Sequence, residues 1–498
     1  MKTVIKINPE QEYECAKKII VEASINRLSQ NSVSSLSSSV DNLITIVARV
    51  LMEREENRRG KQKPPKENPR PKGRKKGEDR GDITKLPSKR YPNLEINETI
   101  VRPVTPPKCL CCGEEMKESG LFDVSEKLEA IPKKYYIERQ KRVKYNCGKC
   151  YGGMINTPAK PSIVPLSNYV DSLIIDASLS KYCDLIPMER FAAIAGREGL
   201  EGLPPQSLIE SSHHLADFLS PAFVKIKNEV LSSKHINIDE TTHKMLEGDD
   251  TKNWYLWGFF CSHACYYEAN NTRSGDVIND FLKKSKAESL MSDDYSGYSR
   301  AIREINKEFD RSILGVLCNA HAFRYFREAS STWKEECKLI LESYGDIYDL
   351  ESKRKLTASL DEQLKLRKQM IPFFERIEDN CKKLSGVGVK GGALEKAVNY
   401  FLSNYKELTI CTQNIAIPLD NNFSEQNLRP PVVGRKTWYG SHSKRGAFTN
   451  AVLFSIVQSY KVNGMNPRAY FIWIVKRIHN KEEILSPYEY SKLEEGTQ

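Results

Sequence analysis

The chain has 498 residues, 39% of them hydrophobic, with a formal net charge of +11 and a pI near 8.8. That much apolar material can bury several cores and excludes wholesale disorder, while the positive balance points to a polyanionic partner. No apolar run approaches the ~20 residues of a membrane helix. The opening MKTVIKINPEQEYECAKK lacks the continuous apolar stretch of a signal peptide, so a cytoplasmic protein is expected.

Residues 1–57 carry helical apolar spacing interrupted by SQNSVSSLSSSV. Residues 58–98 are expected to form a basic flexible linker. Between Arg58 and Arg80 stand eleven Lys or Arg against Glu67, Glu78 and Asp79, and proline, glycine and self-repelling cations oppose a packed core there. This stretch, which includes Arg74, Lys75 and Lys76, reads both as a solvated linker and as an arm that grips phosphates.

Residues 99–160 hold two C-x-x-C pairs, Cys109 with Cys112 and Cys147 with Cys150. Two such knuckles supply the four thiolates of a tetrahedral Zn²⁺ site, a zinc-ribbon-like module. Scattered free thiols are the plainer reading, and Cys111 is an alternative ligand to either neighbour. Residues 161–233 read as helices broken at GREGLEGLPP, a helix-turn-helix-like arrangement. Ordinary helix bundles use the same turns, so DNA binding by this segment stays open.

From residue 234 to 330 the pattern turns to strands. HINID, WYLWGFFC, ACYYEA and SILGVLC are short and rich in β-formers, with helical segments near 276–286 and 296–307. Strands first and strand–helix alternation afterwards predict an α/β sheet of mixed direction. Residues 331–412 read as a helical insertion, 413–478 as the closing part of the same domain, and 479–498 as a C-terminal tail.

Three places deliver a carboxylate from an apolar strand or a helix start: Asp239, the pair Asp293–Asp294, and Glu425 in IPLDNNFSEQNLRPPVVGRKTWYGS. If they meet in space, such oxygen-rich side chains suit Mg²⁺ or Mn²⁺. Two of these ions ~3.5–4 Å apart can activate a water or a 3′-hydroxyl and stabilise the leaving oxygen in phosphodiester displacement. Arg429, Arg435, Lys436, Lys444 and Arg445 crowd the last acid and would hold a phosphate backbone. Acids at strand ends are common, however, and two other readings remain. A DNA-binding regulator without catalysis would keep the cysteine module and the basic arm but need no acids. A two-carboxylate hydrolase of sugars would leave the basic clusters and the cysteine module unexplained.

The motifs KCLCCGEEM…YNCGKC, LSKYCDLIPMERF, DETTHKML, SDDYSGY, CNAHAFRYF, IPLDNNFSEQNLRPPVVGRKTWYGS and NGMNPRAYF follow one another between about residues 105 and 475. In this the chain resembles transposases of the insertion sequence 66 family. The resemblance implies a ribonuclease H-like catalytic domain with a helical insertion, preceded by the zinc module and helical DNA-binding segments. It implies a DDE triad of Asp239, Asp293 and Glu425, using Mg²⁺ or Mn²⁺ to cleave DNA at the ends of an insertion sequence and join the 3′-hydroxyls to target DNA. It also implies recognition of terminal inverted repeats, a homo-oligomer on DNA, small accessory proteins and a nucleoid-associated location. Cys318 and His321 look like the C-x-x-H of related transposases, expected to be a structural pair beside the active site. Alternation along ESLMSDDY puts Asp293 and Asp294 on opposite faces of a strand. The register of the family motif selects Asp293, leaving Asp294 at a position usually held by glycine.

Overall fold

The computed structural model describes residues 86–495, except 106, 117, 119–123, 132, 148–153 and 247–252, together with Ser38 and Val40. The expected N-terminal helical region lies outside these residues apart from Ser38 and Val40, and so do Arg74, Lys75, Lys76 and Cys150. The chain divides into two compact units, residues 61–137 and residues 1–60 with 138–498. The expected 99–160 module is therefore shared between them.

Within the larger unit, β1 (Lys144–Asn146) and β2 (Met154–Asn156) pair as an antiparallel hairpin whose strand residues are all exposed. Helices α1 (Asp171–Tyr182), α2 (Met188–Arg197), α3 (Pro205–Phe218) and α4 (Ser220–Ser232) follow. This is the segment read as helix-turn-helix-like, and it does not stand apart. Ile174, Leu215 and Ile226 lie in the same core as Ile236, Trp257 and Tyr267 of the sheet. Small serines let α1 and α3 approach closely, and the buried Ser178 and Ser212 hydroxyls meet at 3.1 Å.

The sheet contains β3 (His235–Lys244), β4 (Asn253–Phe260), β5 (Cys265–Asn270), β6 (Ser289–Ser292) and β7 (Leu314–Leu317), in the order β5-β4-β3-β6-β7. The first three form an antiparallel meander, whereas β6 and β7 run parallel to β3. Mixed direction, expected from the strand pattern, is thus present. The parallel strands need crossovers, and α5 (Gly275–Lys284) and α6 (Ser296–Phe309) supply helices before and after β6. Unlike the expected HINID strand, β3 does not end at Asp239. It runs on to Lys244 against β4, while its pairing with β6 stops at Asn237.

Edge strand β5 is covered rather than left open. The backbone N–H groups of Cys265 and Tyr267 donate to the Ser459 and Ser455 hydroxyls at 2.9 Å. Those serines stand four residues apart on α14 (Lys444–Val462), a helix buried along most of its length. Before it comes α13 (Asn422–Trp438), which contains Pro430 and Pro431. Pro431 has no N–H for the carbonyl of Asn427, and the buried Tyr267 hydroxyl donates to that carbonyl instead, at 2.6 Å.

The helical insertion comprises Lys334–Leu356, Leu360–Lys368, Ile371–Leu384, Ala393–Ser403 and Tyr405–Thr409. With α7 (Asn319–Ala329) it builds a second core against the face of β6 and β7 that carries Met291 and Val316. At its centre the buried Arg367 guanidinium pairs with Glu351 at 3.0 Å and donates to the Cys411 carbonyl at 2.9 Å. After α15 (Pro467–His479), the expected C-terminal tail instead forms α16 (Pro487–Glu495). Tyr490 lies in the core, its ring 4.6 Å from that of Trp473.

Candidate active site and cysteine knuckle

The register of β3 and β6 pairs Asn237 with Met291. Continued by two residues, it sets Asp239 beside Asp293 at the carboxyl end of β6. This is also where strand order reverses between the β4 and β7 sides, the position at which open α/β sheets bind ligands. Alternation along β3 sends Asp239 to the face of Asn237, and Glu240 to the opposite face with Ile236 and Ile238.

Glu240 is consumed structurally. Its carboxylate accepts from Arg273 at 2.6 Å and from the buried Tyr298 hydroxyl, and the Arg273 guanidinium stacks on the Tyr295 ring at 4.3 Å. Among the described residues Asp239 has no such cation. Burial pushes its carboxyl up to about 8, reinforced by the negative charges of Glu240, Asp293 and Glu425. The charges of Asp293 and Glu425 therefore reach the Asp239 carboxyl at this end of the sheet.

Asp293 and Asp294 part company, though not by strand alternation, because β6 ends at Ser292. Asp293 folds into a turn in which its Oδ1 accepts from the Tyr295 N–H at 3.1 Å. Asp294 turns to the helical insertion and accepts from Asn404 at 3.3 Å. Burial raises its carboxyl, opposed by the Asn404 hydrogen bond. Asp293, and not Asp294, shares the field around Asp239.

Glu425 sits in the first turn of α13, and that turn is stapled to the sheet by Asn421. The Asn421 side chain donates to the Ile238 carbonyl at 3.1 Å and accepts from Asn237 at 2.9 Å and Ser424 at 2.7 Å. Its backbone N–H donates to the Cys318 sulfur at 3.1 Å. Cys318 and His321 are joined through the backbone, the His321 N–H donating to the Cys318 carbonyl at 3.1 Å, while the Cys318 sulfur braces α13 and the His321 ring lies 3.8 Å from Glu425. Burial lowers the His321 imidazole, helped by the cationic Arg324 and opposed by Glu425 and Asp293. Arg324, one turn along α7, lies 3.6 Å from Glu425. Sequence reasoning passed over Asn421 and Arg324. The asparagine run in LDNNF is a signal for the first, while nothing local marks the second.

Oxygen donors of this kind suit a hard divalent cation. Among the described residues, no three His, Cys, Asp or Glu side chains are gathered closely enough to hold a metal ion. Glu425 leans instead on His321 and Arg324.

The expected DNA-contacting cations divide. Arg429, Lys436 and Lys444 are exposed, and Lys444 lies over the Trp254 ring at 5.9 Å. Arg435 donates to the Thr242 and Thr241 hydroxyls at 2.6 and 3.3 Å. Arg445 pairs with Asp217 at 3.0 Å and with Glu210, so its charge is already answered on α3.

In the smaller unit, Cys109–Cys112 forms a closed turn. The Cys109 N–H donates to the Glu114 carbonyl at 2.8 Å, the Gly113 N–H returns to the Cys109 carbonyl at 2.9 Å, and Lys108 bridges Glu115. Gly113 supplies the positive φ of 78° that closes it. Backbone N–H groups of Cys112 and Cys111 lower the Cys109 thiol, with side-chain hydrogen bonding adding to this. In the larger unit, Cys147 follows β1 directly and is exposed.

Acids on β3 and just after the parallel strand β6, a helix with exposed cations following the third acid, and a cysteine knuckle on the same chain are features that fit a DNA-acting protein. The model of the transposase IS66 family matches residues 167–449, more than half of the chain, and that of the zinc-finger binding domain of the same transposases matches residues 106–151. The chain belongs to the IS66 transposase family. It is similar to uncharacterized protein y4hP of Sinorhizobium fredii, 24% identical over 410 residues that span 78% of this chain and 73% of the relative. It is also similar to uncharacterized protein y4qI of the same organism, 25% identical over 404 residues spanning 78% and 73%. Among the described residues no helix is long and apolar enough to cross a membrane.

Proposed function

We propose that this transposase cleaves phosphodiester bonds at the ends of its element and joins the freed 3′-hydroxyls to target DNA, with Asp239, Asp293 and Glu425 as its catalytic acids. What supports the reading is that the β3–β6 register and the Asn421 staple bring Asp239 toward Asp293 and Glu425, whose charges reach the Asp239 carboxyl. Mixed strand direction and the position of the acids support a ribonuclease H-like core interrupted by the helical insertion.

To hold Mg²⁺ or Mn²⁺ the three acids would have to draw closer than they stand here, with Glu425 leaving His321 and Arg324. When bound, such ions lower the pKa of an attacking water or hydroxyl and stabilise the leaving oxygen. The chain's own part is positional. Asn421 fixes where Glu425 enters, Arg273 and Tyr298 keep Glu240 out of the donor set, and Arg324, with the His321 ring beside it, answers the charge of Glu425 in the resting chain. Arg429, Lys436 and Lys444 would add phosphate contacts, with the basic linker around Arg74, Lys75 and Lys76 extending them.

For the zinc module, the four cysteines Cys109, Cys112, Cys147 and Cys150 are the proposed Zn²⁺ ligands. A hairpin of two three-residue exposed strands buries too little to hold itself, and a metal closing it would supply the missing folding energy. Recognition of inverted repeats, assembly as a homo-oligomer on paired ends, accessory proteins and a nucleoid-associated, cytoplasmic location belong to the same proposal.

The test is incubation of the purified chain with DNA carrying the inverted repeats that flank its coding sequence. Cleavage and strand transfer by the zinc-loaded chain that need added Mg²⁺ or Mn²⁺ and cease when those ions are omitted support the reading. Specific binding without cleavage under any divalent metal would favour a non-catalytic zinc-containing DNA-binding regulator.

A further inference from the structure

We infer that the exposed stripe of α13 is a track for the DNA strand leaving the catalytic acids, and that Tyr439 at its far end stacks on an unpaired nucleobase. The inference rests on the proposed placement of the active site at Glu425.

Gln426, Arg429, Val433 and Lys436 recur at helical spacing and are all exposed. None is acidic, and the stripe begins one residue after Glu425. It ends at Tyr439, the residue closing the helix. From Glu425 to Tyr439 is fourteen residues, or about 21 Å at the rise of an α-helix. That corresponds to about six base-pair steps of duplex.

Tyr439 is unusual in two respects. It is 72% exposed, so its ring contributes little to any core. Its backbone is left-handed, with φ of 69°, at a helix-closing position where glycine is the ordinary choice. A bulky residue in that conformation costs stability that glycine would not. Its mount is rigid nonetheless. The Tyr439 N–H donates to the Arg435 carbonyl at 2.7 Å, and the Ser441 N–H donates to the Lys244 carbonyl at 3.0 Å. A Cβ on Gly440 would lie 2.2 Å from that same carbonyl oxygen, so the chain turns here without freedom. A rigidly held, solvent-facing aromatic ring at the end of a basic stripe is the arrangement that single-stranded nucleic acid uses for stacking. A packing or capping role accounts for neither the exposure nor the choice of tyrosine over glycine.

The experiment compares Tyr439→Gly and Tyr439→Trp with the zinc-loaded parent chain in buffer without Mg²⁺ or Mn²⁺, where affinity is read without cleavage and does not depend on the catalytic reading. Two DNA ends are used, one fully paired and one with several unpaired nucleotides about six positions from the cleavage point, carrying 2-aminopurine. The inference predicts that Tyr439→Gly melts at the same or a higher temperature. It predicts affinity for the unpaired end falling roughly 5- to 100-fold, the scale of one base–aromatic stack. The paired end should change little, and Tyr439→Trp should retain both affinity and quenching of the 2-aminopurine signal. Equal affinity of Tyr439→Gly and parent for the unpaired end would overturn the inference. So would an equal loss on both ends, which marks a backbone contact, or a lowered melting temperature with unchanged binding, which marks a capping role. Should binding behave as predicted while Glu425→Gln still cleaves, the track stands and the catalytic assignment falls.

Discussion

Asn421 donates its side-chain N–H to the carbonyl of Ile238 at 3.1 Å, and Ile238 immediately precedes Asp239. One buried amide thus ties the strand that bears the first acid to the helix that bears the third. All its polar atoms are used, since the same side chain accepts from Asn237 and Ser424 and its backbone N–H reaches Cys318. Asn421→Asp should turn a donor into a buried acceptor facing a carbonyl. We expect a loss of about 2–4 kcal/mol in chemical denaturation, the scale of a buried unsatisfied or charged group. Cleavage should fall further than DNA binding, because Glu425 loses its register. Unchanged stability and cleavage would remove Asn421 from the account.

The neighbouring acids Asp293 and Asp294 are separated by a pair of isosteric changes. Asp293→Asn should abolish cleavage of pre-bound end DNA. Asp294→Asn should stay within several-fold of the parent, since its carboxylate is turned to Asn404. Loss in the Asp294 variant alone would reverse the assignment.

Zinc is tested by composition and by folding. One Zn²⁺ per chain is expected in protein purified under reducing conditions. Cys147→Ser or Cys112→Ser should lose it and weaken binding to element ends, because binding and folding of such small modules are one process. Protein free of zinc that binds ends at full strength would contradict this.

Away from the acids, Glu229 provides a pH-dependent term in stability. Burial raises its carboxyl to about 7, with Glu489 adding to the shift and the Ser486 hydroxyl and Lys225 opposing it. One of its oxygens is buried without a partner. A folded pKa above the unfolded carboxylate value of ~4.3 favours the protonated form. Its contribution is complete below that value and is lost as pH rises through about 7. Glu229→Gln should therefore stabilise the chain by about 1–3 kcal/mol at pH 8 and by much less at pH 5, read as melting temperature at the two pH values. An equal shift at both would show that the carboxyl is not buried in this way.

Legible in the sequence were the elements whose pattern is local. The β-rich runs, the helices flanking β6, the charged insertion and the Cys109–Cys112 turn each announce themselves within a few residues. Asp239, Asp293 and Glu425 were legible as acids delivered by such elements. What local pattern does not carry is which element braces which. Nothing near Arg445 reveals that Glu210 and Asp217 stand opposite it, because those acids are more than two hundred residues away. Likewise Pro431 inside a helix reads as a break until Tyr267 is seen to serve the stranded carbonyl. The separation of Asp293 from Asp294 was expected from strand alternation but comes from a turn, since β6 stops one residue earlier.

The central claim is that Glu425 is a metal-holding catalytic acid and not merely the partner of His321 and Arg324. Its most direct measurement is cleavage of inverted-repeat DNA by purified Glu425→Gln, with binding to the same DNA measured alongside. The amide keeps the shape of the side chain but loses the charge that would hold a cation. The account predicts binding within a few-fold of the parent and no detectable strand cleavage in Mg²⁺ or Mn²⁺. Nicking by Glu425→Gln at the parent rate would contradict it.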